Sequence, residues 1–482
     1  MKTDKANLVI EKHKDTFFFV SLCFMVLILP LFNNLTPIGI AIISLAFIFD
    51  VYNLKDNFLA VFRKRDNLFP IVLYLLAILS LIYTSDFEQG AKYIGKLIPF
   101  LSLPIVLVKV KDLSSKQLHI LFKLYIYGCL LACFWAMGDF IIETSSGKFK
   151  EIHHPDNWFN YFANRITYHE MIENTSIGHA GYFSLYLAIA VFLCFYEWLR
   201  SKKRRYIYLL IFFIFFLVLL HALMINIALY TCIVLFFTVF KDSYFDFKKK
   251  YLYLLIVSFA GGFICSYLLI NKIIPHPNYI YLFENKNYNL FLITAPIITS
   301  IFSYFLVKNQ WLYNKKFVFG TSFLVLLFVF YVVYSNFFYV DDKSISNLEA
   351  RTVNWRASLI LIKDNMLFGL GIGDVQNELT KKYLEMDFEK LSYNEHNQYL
   401  RFWLQSGIVS LIIFIFWMFQ FLKNSIKKKN YLLFGLVLMV SFFSFSESVF
   451  ARQYGIIFII FFMYLLNNRE LYSDFKNDSI NN

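Results

Sequence analysis

Residues 351–407 read RTVNWRASLILIKDNMLFGLGIGDVQNELTKKYLEMDFEKLSYNEHNQYLRFWLQSG. This is the long polar interruption in a chain otherwise made mostly of apolar runs. It holds three arginines, two tryptophans, a triple-glycine turn and a His-Asn pair, and a new apolar run begins where it ends. A polar stretch framed by apolar runs on both sides is the pattern of a loop joining membrane spans, so the fold is decided by what flanks it.

The flanks are consistent with that reading. The chain has 482 residues, 59% hydrophobic and 16% charged, whereas soluble domains carry about 25% charged residues. A helix needs about 20 mostly apolar residues to cross a bilayer. Such runs recur as fourteen candidate spans: 16–34, 36–54, 68–84, 94–108, 117–141, 179–199, 206–221, 223–240, 252–271, 289–307, 317–336, 399–422, 431–449 and 455–467. The expected fold is an all-α, polytopic transmembrane helical bundle of about 12–14 spans. Strands of a membrane barrel would alternate apolar and polar residues, and these runs do not.

The net charge of +13 has the same explanation. With the N-terminus inside, the inner loops carry Arg63-Lys64-Arg65, Lys109 and Lys111, Arg200 to Arg205, Lys248 to Lys250, Lys308 with Lys315 and Lys316, and Lys427 to Lys429. That is the positive-inside pattern, and no basic patch interleaved with exposed aromatics suggests nucleic acid. Six cysteines, Cys23, Cys129, Cys133, Cys194, Cys232 and Cys265, all lie in apolar runs without metal-ligand spacing and read as small buried hydrophobes. The basic N-terminal segment precedes a long apolar run without a small-residue cleavage site, so it reads as the approach to a first span.

This topology divides the chain. Residues 1–336 hold the first eleven spans with a smaller outer loop at 142–178, residues 337–398 form a large outer loop, 399–467 hold the last three spans, and 468–482 form an inner tail. Val353, Ala357, Ile360 and Leu361 recur at helical spacing, Gly369, Gly371 and Gly373 break the chain, and Asp374 is placed to cap a second helix reaching about Lys390. The large loop is thus expected to be helical, lying on the outer surface or over the bundle.

Candidate chemistry concentrates in and near this loop. The run Gly369 to Asp374 lacks the preceding strand and spacing of a phosphate loop, and a sharp interhelical turn explains it. His396 stands at the mouth of a span, where the positive end of the helix dipole disfavours protonation and leaves the ring able to accept a proton. Asn397 could orient it or a substrate hydroxyl. Arg351 and Arg356 lie on the outer side against the charge trend, and a guanidinium fork matches phosphate oxygens. Arg452, in the short turn before the last span, is a third such arginine, with Glu447 as its natural ion-pair partner. His153, His154 and His169 lack metal-site spacing, so no metal and no cofactor are expected.

Arg351-x-x-x-Trp355, the run NMLFGLGIGDVQNEL (365–379), HNQYL (396–400) and LQSGI (404–408) together resemble the O-antigen ligase and O-antigen polymerase superfamily. GHAGYFSLYL (178–187) resembles that family's segment containing His179, with Ala180 where proline is usual, and SFSESVFARQYG (444–455) resembles its late segment with Glu447 and Arg452. The resemblance implies a glycosyltransferase in the bacterial inner (cytoplasmic) membrane, with its site on the periplasmic side. Its partners would be an undecaprenyl-diphosphate-linked glycan donor and, as acceptor, lipid A-core or another lipid-linked glycan, with possible polysaccharide assembly partners. In this reading His396 takes the acceptor proton and Arg351 neutralises the departing diphosphate. Arg452, Arg356, Asn397, His179, Trp355 and Glu447 bind substrate, and the anomeric centre inverts. Where the family often carries a Ser-Arg pair, this chain has Met224-Ile225-Asn226, which shifts the phosphate role towards Arg452 or Arg356. A polysaccharide flippase or transporter and a non-catalytic assembly subunit are the competing readings. Transporters, however, commonly place charges near mid-membrane, and here they gather in one outer loop.

Overall fold

A computed structural model describes residues 2–50, 53–63, 65–145, 180–220, 347–386 and 394–468, with Ile225, Ala228, Leu229, Cys232 and Leu471 as isolated positions. Among the described residues every regular element is helical. In chain order these are α1 (Lys2–Ile28), α2 (Thr36–Ile48), α3 (Leu54–Arg63), α4 (Arg65–Ser80), α5 (Phe87–Leu97), α6 (Pro99–Val106), α7 (Ser115–Ser145), α8 (Ala180–Ser201), α9 (Arg205–Leu219), α10 (Asn347–Asp364), α11 (Val375–Glu385), α12 (Gln398–Lys427), α13 (Tyr431–Phe443) and α14 (Gln453–Leu466). Four stretches are long and apolar enough to cross a membrane, namely Phe87–Asp112, Ser115–Gly138, Gly181–Ser201 and Gln398–Lys427, and shorter apolar helices stand beside them. The architecture is a helical membrane bundle. The helix α7 runs to Ser145, into the loop expected at 142–178; the rest of that loop, and the spans expected between 223 and 336 apart from the isolated positions named above, lie outside the described residues.

Element boundaries follow local chemistry. The expected span 36–54 stops at Ile48, because Asp50, Asn53 and Asn57 pair with one another through the Asp50 carboxylate and the chain restarts as the amphipathic α3. The apolar run around 94–108 begins earlier, at Phe87, where the Asp86 side chain accepts a hydrogen bond from the Gln89 amide and caps α5. Pro99 then opens α6 as a separate helix, as suits a residue with no amide hydrogen to donate. α10 and α11 appear as the periodicity in the large loop predicts, with α11 ending at Glu385.

α12 is two helices in one. Ser406 and Gly407 leave helical geometry, with Gly407 at φ 76°. A short helix from Gln398 to Gln405 therefore precedes a longer one from Ile408 to Lys427. The twenty or so residues of the longer part rise about 30 Å, the thickness of a bilayer's hydrocarbon core.

The described loops sort to two ends of the bundle. At one end Asn424 donates to Asp66 at 2.8 Å, Lys428 to Asn467 at 2.9 Å, and Asn468 to the Val110 carbonyl at 2.5 Å. There too Lys109 is buried against Asp50 at 2.8 Å, and His119 meets Glu197 at 2.6 Å. The opposite end gathers residues 80–90, 366–374, 394–407 and 441–452, described next. Among the described residues, the basic loops thus sit together and the large loop sits away from them.

Candidate functional site

The end opposite the basic loops is built from three chain segments fitted against one another. The first is the α10–α11 hairpin. Its inner face is a small core of Ala357, Leu361, Ile362, Val375, Leu379 and Tyr383, closed by Leu404 of α12. Its turn docks on the loop between α4 and α5. The Asp374 carboxylate accepts from the amides of Ser85 and Asp86 at 2.6 and 2.8 Å. Gly373 donates to Thr84 at 2.9 Å and Ile372 to Ser80 at 3.2 Å. Asp374 therefore stands at the start of α11 without capping it by its side chain; the carboxylate holds the neighbouring loop instead. Gly369 and Gly371 have φ of 75° and 94°, a region glycine occupies without penalty. A β-carbon on Gly369 would run into the Leu404 carbonyl, and one on Gly407 into the Leu367 carbonyl. The two glycines let the hairpin lie directly against the break in α12, where Leu370 donates to Leu404 at 2.7 Å and Ile408 to Met366 at 3.1 Å.

The second segment is Asn394 to Gln405 and the third is Ser441 to Arg452. They are stitched together by backbone and side chain. Gln398 donates its amide to the Ser444 carbonyl at 2.8 Å, and its side-chain oxygen accepts from the Phe450 amide at 2.8 Å. The Tyr399 hydroxyl donates to the Ser441 carbonyl at 3.1 Å. Asn397 caps α12 by accepting from the amides of Tyr399 and Leu400, at 2.9 and 3.2 Å, and donates to the Phe445 carbonyl at 3.3 Å. From the side, the buried Tyr182 of α8 donates to the Val449 carbonyl at 3.1 Å.

His396 sits where these segments meet. Its backbone is left-handed, with φ 45°, a conformation a non-glycine residue adopts at a cost of about 1–3 kcal/mol and keeps only when its surroundings impose it. The Asn394 side chain accepts from the His396 amide at 3.0 Å. Ring Nδ1 lies 3.3 Å from Glu447 Oε2. The imidazole is partly exposed, its side chain 24% accessible against 12% for Glu447. With Nδ1 donating to Glu447, ring Nε2 carries the lone pair and can take a proton.

Beneath this pair lies a second, fully buried one. Arg401 donates to Glu395 at 3.1 Å, and Ser448 donates to the same carboxylate at 2.6 Å. The guanidinium lies 5.3 Å from the Tyr93 ring centroid, in cation–π range. Neither Glu395, Arg401, Ser448 nor Tyr93 stood out in the sequence reading. Arg401 carried a usable signal, an ionisable residue just inside an apolar span.

Arg452 ends the third segment as the exposed residue before α14. Desolvation pulls its guanidinium towards neutrality, but Tyr454, Tyr182 and Glu447 outweigh that and hold its pKa above the ordinary arginine value. The structure thus brings His396, Asn397, Glu447 and Arg452 to one place. Arg351, Trp355 and Arg356 lie on α10, with Arg351 and Trp355 half-buried and Arg356 exposed. Among the described residues Arg351 and Arg356 make no hydrogen bond or ion pair. His179 lies outside the described residues. No group of three His, Cys, Asp or Glu side chains among the described residues is arranged to hold a metal ion.

Residues 290–415 match the family model for O-antigen ligase. This segment belongs to the O-antigen ligase family. It takes in the α10–α11 hairpin, the His396 turn and the break in α12, while Glu447 and Arg452 lie beyond it. No curated protein matches the chain. With a helical membrane bundle around it, the O-antigen ligase segment gives the chain an O-antigen ligase- or polymerase-like membrane function, associated with lipid-linked glycan.

Proposed function

We propose that the chain is an inverting, metal-independent glycosyltransferase of the inner membrane that moves an oligosaccharide from undecaprenyl diphosphate to a sugar hydroxyl on the periplasmic side. The observation that carries this is His396, partly open to solvent, strained in its backbone and oriented through Nδ1 by Glu447. That arrangement makes a positioned general base. His396 Nε2 takes the proton of the acceptor hydroxyl as its oxygen forms a bond to the anomeric carbon, and the bond from that carbon to the diphosphate oxygen breaks on the opposite face. The leaving diphosphate departs as an anion, so the chain needs to supply positive charge and no strong acid. Arg351 and Arg356, without protein partners among the described residues, and Arg452, held charged beside Glu447, are suited to that role. Asn397 fixes the turn that presents His396, and Trp355 and His179 complete the substrate surface. The gathering of the basic loops at the other end supports, by the positive-inside rule, a reading with that end in the cytoplasm and this one outside it, where a lipid-linked donor is the natural substrate.

The test replaces His396 by asparagine, which tolerates a left-handed backbone and so keeps the turn. Transfer of lipid-linked glycan should fall by about 10²–10⁴-fold while the protein stays in the membrane at its normal level. Unchanged transfer rules out the base assignment.

A further inference from the structure

The tip of the α10–α11 hairpin is apolar and uncovered. Met366, Leu367 and Phe368 are 50%, 65% and 71% exposed, and so are Ile82 on the α4–α5 loop and Phe87 at the start of α5, at 81% and 64%. The Tyr83 hydroxyl joins the α4–α5 loop to the tip by donating to the Phe368 carbonyl at 2.5 Å, and the Trp403 indole of α12 holds the tip by donating to the Met366 carbonyl at 3.0 Å.

Two helices measure the depth of this patch independently. α4 and α12 run antiparallel against each other and are pinned at the basic end by Asn424 and Asp66. From Asn424 back to Gly407 a helix rises about 25 Å, and from Asp66 to Ser80 α4 rises about 21 Å before the turn that carries Tyr83. Gly407 lies against Leu367, and Tyr83 is bonded to Phe368. Both measures put the patch about 20–25 Å from the Asn424–Asp66 pair, near the far side of a hydrocarbon core roughly 30 Å thick. The patch also continues two apolar surfaces: Leu75, Ile78 and Leu79 on α4, a shorter apolar helix, and Val409, Ile412 and Phe416 on α12, which is long enough to cross a membrane, are all exposed. Phe87 marks the edge of the patch, since it also borders a shallow polar depression formed with Asp86, Glu88, Asp374, Asn377, Glu378 and Lys381. An apolar rim with aromatic side chains, lipid-facing helix below and carboxylates above, is the profile of a membrane–water boundary.

We infer that Met366, Leu367 and Phe368, with Ile82 and Phe87, are inserted into the far leaflet, so that the hairpin carrying Arg351 is anchored in bulk phospholipid as well as docked on the protein. The tip sets the height at which the hairpin rides, whichever reaction the site performs.

A photo-crosslinking benzoylphenylalanine placed at Leu367, and in a separate chain at Ile82, tests this in the full protein in native membranes, with the exposed Lys381 as the comparison site. Irradiation should give phospholipid adducts at 367 and 82 at about ten times the yield at 381, as expected across the boundary. Adducts at both sites to another protein or to a second copy overturn the inference, as do adducts to polyprenyl diphosphate alone or a lipid yield no higher than at 381. Two sites in separate elements keep the test decisive if one substituted chain fails to accumulate.

Discussion

At the scale of single residues, His396 is defined by two constraints that act on different atoms. Asn394 holds its backbone and Glu447 holds its ring. Replacing Glu447 by glutamine keeps the shape but removes the charge that favours a protonated imidazole. Transfer is expected to slow mainly in kcat, by about 10–10²-fold or more, with KM nearly unchanged, since orientation and charge matter most as the proton moves; steady-state kinetics on purified lipid-linked donor would show it. Arg351→Lys tests a different interaction. Lysine retains the charge and loses the fork that grips two phosphate oxygens, so a loss approaching that of a neutral substitution identifies bidentate contact, and a silent result identifies a structural arginine. The sequence marks His396 by its place at the mouth of an apolar run and Arg351 by its place on the outer side against the charge trend. Glu447 as the partner of His396 was not, because 51 residues separate them and sequence proximity paired the glutamate with Arg452. The Arg401–Glu395 pair was hidden for a related reason: a buried ion pair is fixed by tertiary packing, and the two residues gave no spacing pattern that marks them.

At the scale of elements, the break in α12 governs the site. The longer part of the helix spans, and the shorter part lies beyond it, holding the His396 turn against residues 441–452. Composition concealed this division, since RFWLQSGIVSLI reads as one apolar run opening; only the glycine hints at it. The helices on either side of the glycine turn were legible, because apolar residues recur at 3.6-residue spacing there. Asp374 was read correctly as the residue at the start of α11, but the use of its carboxylate depended on a loop almost 300 residues earlier in the chain. The prediction at this scale concerns Gly407. Alanine there needs a positive φ and pushes into the Leu367 carbonyl. The expected loss is roughly 2 kcal/mol or more, read as a lower midpoint in thermal unfolding of the detergent-solubilised protein, with transfer lost in parallel. The same change at Gly138, whose surroundings are open, should be nearly neutral.

At the scale of the whole molecule, the described loops sort to two ends as the charge alternation in the sequence required, because the same electrostatic rule that orients each loop acts on all of them. The number of crossings is less legible, since polar interruptions such as Asp50 to Asn57 end an expected span early and start a short amphipathic helix that was not expected. What the assembled protein does is read most directly by deleting it. If the acceptor is another lipid-linked unit, the deletion strain should keep single repeat units on its lipid A-core and lack long chains. If the acceptor is lipid A-core, that core should be bare and lipid-linked polymer should accumulate. Glycan profiles unchanged from the parent rule out both forms of the proposal.

The three-segment construction has a consequence for how the protein is made. Translation delivers the 80–90 loop first, the hairpin with its arginines next, the His396 turn after that, and the strip from 441 to 452 late. Until that strip leaves the ribosome, His396 has neither the Glu447 carboxylate nor the carbonyls of Ser441, Ser444 and Phe445 to hold its turn. Under the proposed function, a chain that stalls before residue 441 has no positioned base and is inert until its synthesis is finished.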